Sequence, residues 1–429
     1  MLTAQDGDIL MTLRPEDHHN WRLVQEAELA WRGDRDKERL YAGCKAFMIL
    51  RWSAPTEGPQ SRRVVPFVLG GQTVEINFYQ DWWICEKLLT SKRVLFVTQG
   101  KARLRLGHVY RYLRLAHEIS TYYEVLFLCI SQSEIDASRI ASFDYQTILQ
   151  GGALARQVIA LDSDLVTNDI LDTSAEYVDA CRQTGIKVVN FKDSGPGAQE
   201  ADLVFNALYE DSPSTRPNLR TGHQFFCLRD EFENARRQPP ASAVREILIT
   251  FGGTNPNYFT SQTLDTLLAP ARSRGIRLSR VAGPGYQHKS ALLAQLERLD
   301  DPGIGVHDGI HIISSMIKCT ALVISSAERT VLELMHLQKL CIMISHHARE
   351  HTHSFARPKN NVVYLGAMEL FKAAKLRRIF LALLDQSLRQ KFFERMQRFD
   401  FSKNKKQILS EIWSLISAPT APAAKSEKA

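Results

Sequence analysis

Short apolar runs alternate with amphipathic stretches along most of this chain. RVLFV (Arg93–Val97) is an apolar run of strand length. After a basic loop, the segment opening at Gly107 sets Val109, Tyr112, Leu113, Ala116 and Ile119 on one helical face. The series continues with a strand over Glu124–Ile130, a short apolar segment at Val158–Leu161 and a polar stretch over 162–169. A helix in SAEYVDACRQTG, stopped by Gly185, then leads to strands in IKVVNF and ADLVFNAL. Strands alternating with helices predict a parallel, doubly wound sheet.

Two prolines and little apolar content mark Ala235–Val244 as a linker, after which the alternation resumes. Glu246–Gly253 feeds a helix over 260–269, and Ile276–Gly285 feeds one in KSALLAQLERL. Then come a helix in HIISSMIKC, a strand at Ala321–Ser325, a helix over 329–337 and a strand at Lys339–Ser345. One helix is expected over about 387–416, packing back across the domains, and a disordered tail from Ala418. Residues 1–90 carry little alternation and read as a small appended unit. The expected fold is α/β: a unit over 1–90, Rossmann-like domains over 91–237 and 238–385 facing across a cleft, a helix over 386–417 and a tail over 418–429. Such sheets bind ligands beyond the carboxyl ends of their strands.

At 429 residues the chain exceeds the usual size of a single core. Its formal charge of +7 comes from lysines and arginines spread along the sequence, with only short dense stretches such as Lys101–Arg105 and Lys403–Lys406. That spread argues against nucleic acid as a partner. It suits an anionic small molecule and admits peripheral contact with anionic lipid. Seven cysteines without a C-x-x-C pair, an acidic start and no window of 18 apolar residues lead to the expectation of a reduced, cytoplasmic protein.

Candidate chemistry gathers where strands end. Gly107-His108 opens a helix, with Arg111 one turn on: either a plain turn with a histidine near the cap, or a general base beside a cation that steers an anion. Gly252, Gly253 and Thr254 follow a strand and would let a phosphate or ribose approach the backbone. Ser325 and Glu328 could form a capping box. Alternatively the helix start would hold a pyrophosphate, with Arg329 and Thr330 as donors and Glu333 on a ribose hydroxyl, and Glu328 would compete for the phosphate position. Asp172 or Thr173 reads as the cap of the helix after Asn168-Asp169, leaving a carboxylate of Asp169 or Asp172 for sugar hydroxyls or for orienting His108. His346, His347, His351 and His353 have the composition of a metal tract but no H-E-x-x-H spacing, so substrate hydrogen bonds from Glu350 or His351 are preferred and no metal is assigned.

The stretches GHVYRYLRLA (107–116), NDILDTSAEYV (168–178), VVNFKDSGPGAQEADLVFNALYED (188–211), FGGTNPNYFT (251–260), RTVLELMHL (329–337) and AREHTHSFA (348–356) together resemble the nucleotide-sugar hydrolases of pseudaminic acid biosynthesis and their spore-coat polysaccharide relatives. The resemblance covers about 93–385 and implies a GT-B fold. It implies hydrolysis of a UDP-linked diacetamido-trideoxyhexose, with release of UDP and free sugar and without a cofactor or obligatory metal. His108 would be the catalytic base. Gly107, Arg111, Asp169, Asp172, Asn206, Glu350 and His351 would bind the sugar. Gly252, Gly253, Thr254, Ser326, Arg329, Thr330 and Glu333 would bind the nucleotide. A glycosyltransferase on the same scaffold is one alternative, because nucleotide motifs do not separate it from a hydrolase; a catalytically decayed nucleotide-sugar-binding member is another, because the front unit is eroded and the resemblance implies glycine where Glu328 stands. YAGCKAFMILR (41–51) and VEINFYQDWWICEKLL (74–89) are similar to the closing part of CMP-sialic acid synthetases, which implies a truncated remnant and a sugar-biosynthesis enzyme as partner.

Overall fold

The computed structural model describes residues 76–99, 107–130, 133–210, 216–251, 259–282, 301–308, 312–367 and 370–417, together with the backbone of 9–16, 21–25, 28–31, 40–50 and 64–68. The chain divides into two compact units, Met1–Ser91 and Lys92–Ala429.

In the first unit, β1 (Ile9–Glu16) lies between β4 (Leu40–Leu50), antiparallel to it, and β5 (Val64–Val68), parallel to it. β2 (Trp21–Gln25) pairs with β3 (Glu28–Trp31). A helix over Tyr79–Thr90 follows. Its start is held by Asp81, whose carboxylate accepts the N–H groups of Asn77 and Phe78, each at 2.8 Å. None of this helix's side chains is buried.

The second unit holds two parallel sheets. The first runs β12 (Leu219–Thr221), β11 (Leu203–Asn206), β10 (Lys187–Phe191), β9 (Leu165–Asp169), β6 (Arg93–Thr98), β7 (Glu124–Cys129), β8 (Gln146–Leu149). The second runs β15 (Ile304–Asp308), β14 (Arg277–Ala282), β13 (Glu246–Thr250), β16 (Leu322–Ser326), β17 (Leu340–Ser345), β18 (Val363–Ala367). Both sheets are covered on both faces, which explains why their strands read as unbroken apolar runs. Val94 and Phe96 face one core of the first sheet while Leu95 and Val97 face the other. Ile247 and Ile249 are likewise separated from Leu248.

The sequence reading passes over β8, β12, β15 and β18, and two further elements differ from it. The polar stretch at 162–169 contains β9, a central strand buried throughout. It tolerates Asn168 because that side chain accepts from the Tyr177 hydroxyl at 2.8 Å and donates to Asn190 at 2.9 Å, so both ends of its amide are bonded. The single helix expected over 387–416 is two, Gln386–Met396 and Asn404–Ser417. Between them Phe399 and Phe401 turn into the core of the second sheet, and Asp400 accepts the Ser402 N–H at 2.9 Å, so the chain leaves the helical path.

The two Rossmann-like halves exchange packing at both ends. Ala207, Leu208, Phe226, Leu228 and Phe232, which follow the first sheet in sequence, join a core of the second. Ile408, Leu409, Ile412 and Ile416 of the last helix return to a core of the first. Among the described residues, no helix is long and apolar enough to cross a membrane.

Candidate functional site

In each sheet the strand order reverses beside the first strand of its half, between β6 and β9 in one and between β13 and β16 in the other. Crevices at the carboxyl ends of such switch points are where open α/β sheets bind ligands. Side chains from both sets of strand ends meet there. Arg111, in the helix Gly107–Ile119, forms a buried ion pair with Asp169 at the end of β9 and lies 4.9 Å over the Phe191 ring. Lys192, just past β10, reaches Glu328, just past β16, at 3.4 Å. Arg349 donates to Asp172 at 2.8 Å and also to the Lys192 carbonyl.

Arg329 is the cation in this group whose charge is least answered. Its guanidinium lies 4.8 Å over Phe226 and gives one hydrogen bond, at 3.3 Å, to the Cys227 carbonyl, while Nη1 has no partner. The nearest acid on its own helix, Glu333, is gripped by Arg229 at 2.8 and 2.9 Å. Burial first, and then the neighbouring charge of Arg111, lower the Arg329 pKa to about 10. A buried cation in that state is stabilised by an added anion.

The remaining sequence-derived candidates fall as follows. Gly107 and His108 open a helix of 13 residues, and the side chain of His108 lies outside the described residues, as do Gly252, Gly253 and Thr254 altogether. Ser326 ends β16 and is buried, and Thr330 begins the helix Thr330–His336. No side chain caps that helix, so the capping box of Ser325 and Glu328 does not form; Glu328 is turned to Lys192 instead. Glu333 is buried with both oxygens on Arg229, and a ribose role would require that pair to open. The cap of the helix Ala175–Gln183 is Ser174, not Asp172 or Thr173. Asp172 instead accepts from the Ser194 N–H at 2.9 Å and from Arg349. Burial would raise its pKa, but the hydrogen bonds from Arg349 and the Ser194 N–H, together with the Arg349 charge, outweigh that and hold it below the ordinary value. Asn206 is buried and donates to the Asp193 carbonyl at 2.9 Å. Glu350 is buried and accepts the His346 N–H at 2.8 Å, while the exposed His351 meets the Tyr364 hydroxyl at 2.7 Å.

Two contributors were given no role in the site by the sequence reading. Lys192 stands in the motif VVNFKDSGPGAQEADLVF, but nothing in that pattern shows that its loop faces the other half. His353 is buried, with Nδ1 2.9 Å from the Ala327 carbonyl, directly before Glu328 and Arg329. Burial pushes its pKa down to about 4, so at neutral pH the ring is uncharged and Nδ1 carries the proton that it shares with the carbonyl.

Glu328, His347 and Glu350 bring potential ligand atoms within 4.8 Å of one another. Their hydrogen bonding does not suit a metal ion. His347 Nδ1 accepts the Glu350 N–H at 3.3 Å, which leaves the proton on Nε2, facing the Glu350 carboxylate at 3.4 Å. A metal-binding imidazole normally donates from its second nitrogen.

No family model matches the chain. Uncharacterized protein MJ1062 of Methanocaldococcus jannaschii is 24% identical over 263 residues, covering 57% of this chain and 54% of that protein, so the chain spans about half the length of the curated relative it matches. Among solved structures, Acinetobacter baumannii MurG superimposes with a TM-score of 0.52 at 16% identity, over 75% of this chain and 99% of that one. A glycosyltransferase from Rickettsia africae gives 0.52 at 13% identity, over 77% and 100%. S. aureus MnaA in complex with UDP gives 0.52 at 10% identity, over 77% and 98%. At these identities the likeness speaks for architecture alone, and that architecture is α/β, with two Rossmann-like domains in a GT-B-like arrangement.

Proposed function

We propose that this protein is an enzyme acting on a nucleotide-activated sugar: it hydrolyses a UDP-linked amino sugar of the diacetamido-trideoxyhexose type and releases UDP and the free sugar, for nonulosonic acid or surface polysaccharide synthesis. The observation that carries the reading is Arg329, a buried guanidinium without its own carboxylate, at the carboxyl ends of a sheet that meets a second sheet's ends. A diphosphate supplies the missing negative charge. The six motifs and their order support the hydrolase over other users of such a cleft.

In this mechanism His108, one turn before Arg111, takes a proton from water as the water oxygen bonds to the anomeric carbon. The bond from that carbon to the diphosphate oxygen breaks, and its electron pair leaves with UDP. Arg329 and the backbone after β13 stabilise the charge that builds on the departing group. The proton on the imidazole passes to solvent, so sugar nucleotide and water become sugar, UDP and one proton.

Purified protein given UDP-linked and CMP-linked diacetamido sugars, with no acceptor, releases nucleotide if the reading holds. His108→Ala lowers that release about a hundredfold or more with the thermal unfolding midpoint unchanged. Wild-type release by His108→Ala ends the role of this residue, and no release with any of the sugars ends hydrolysis. The fold shared with a glycosyltransferase favours one second reading, transfer to an acceptor hydroxyl; release that begins only when an acceptor is added selects it.

A further inference from the structure

Lys192 has no assigned role, yet its surroundings are those of a ligand-binding cation. Its backbone is left-handed (φ 60°), a conformation that costs a non-glycine residue energy and that the neighbouring structure must enforce. The enforcement is visible. The Lys192 N–H donates to the Phe205 carbonyl at 3.0 Å, and its own carbonyl accepts from Arg349. The next residue, Asp193, is buried and accepts from the Thr173 hydroxyl at 2.6 Å, the Asn190 amide at 2.6 Å and the Gly195 N–H at 2.8 Å. So much fixation around a strained lysine delivers one thing, an ammonium group carried from the first half to the start of the helix Thr330–His336 in the second. There it meets Glu328, the residue next to Arg329.

Resting on the nucleotide-sugar reading above, we infer that Lys192 is a diphosphate-binding residue and that Glu328 is the counter-ion it holds until the nucleotide arrives. Two negative phosphates drawn to Arg329 come to lie beside the Glu328 carboxylate, and like charges at that range repel strongly in a partly dry site. Swinging Glu328 outward relieves the repulsion and leaves the ammonium without a partner beside the second phosphate. Binding then exchanges one anion on Lys192 for another. The acid that looks out of place for a phosphate site becomes a gate selecting ligands with enough negative charge to displace it.

The test compares UDP, UMP and uridine binding by calorimetry to full-length wild type, Lys192→Met, Lys192→Arg, Glu328→Gln and the double variant Lys192→Met/Glu328→Gln. Lys192→Met is expected to weaken UDP about tenfold or more and uridine not at all, with Lys192→Arg close to wild type. Glu328→Gln is expected to tighten UDP about tenfold, and adding Lys192→Met to it again weakens UDP at least as much as in wild type. UDP binding within twofold across position 192 in both backgrounds overturns the inference alone. So does equal weakening of UDP and uridine, which marks general damage to the site. Absence of UDP binding in every variant overturns the nucleotide reading itself.

Discussion

His353 illustrates how one buried side chain turns position into pH dependence. Its ring is 1% exposed and keeps the Ala327 carbonyl in place, which anchors the turn bearing Glu328 and Arg329. The folded protein holds this imidazole neutral down to about pH 4, whereas the unfolded chain binds a proton from about 6.5. Between those values the unfolded state carries more protons, so stability falls as the pH falls through that window, by about 3 kcal/mol from this residue. Urea unfolding at pH 7 and pH 4 is expected to show that loss in wild type and a correspondingly smaller one in His353→Gln; parallel losses would rule the assignment out. Composition alone grouped this histidine with His346, His347 and His351, because nothing in the local sequence tells a buried ring from an exposed one.

At the scale of an element, the turn between β10 and β11 is specified by its glycines. Gly197 starts a short helix against the loop before the helix Ala175–Gln183, and a β-carbon there would stand 2.6 Å from the Ser174 carbonyl and closer still to the Thr173 hydroxyl. Gly197→Ala is therefore expected to destabilise the protein by about 1–3 kcal/mol in chemical denaturation. A variant as stable as wild type would mean that this loop is not packed as described. Most elements of the two sheets were legible from apolar runs, since strands buried on both faces leave an unmistakable trace. β9 was not, because Thr167, Asn168 and Asp169 read as loop until their partners across the sheet are known. The break between the last two helices was missed for the opposite reason. The residues around 397–403 keep an acceptable helical composition, and only the pull of Phe399 and Phe401 into a distant core ends the helix.

For the molecule as a whole, the joint between the halves rests on pairs that span the chain. Arg229, in the segment that crosses to the second half, holds Glu333 with two hydrogen bonds and Glu231 at 2.8 Å. Arg229→Met leaves a carboxylate that is 3% exposed without its partner and is expected to cost about 3–5 kcal/mol. Arg229→Met/Glu333→Gln should recover most of that in urea unfolding; a double variant no better than the single one would show that charge burial is not the cause. By itself the sequence determined the fold class, most of the alternation of strands and helices and the helix-start positions around 107 and 329, since these follow from local periodicity and turn chemistry. Only the tertiary structure decided which charges face one another. The pairing of Lys192 with Glu328 joins positions 136 residues apart, and the claim of Arg229 on Glu333 joins positions 104 apart. Electrostatic energy depends on distance through space and on exclusion of water, and neither is written in the order of residues along the chain.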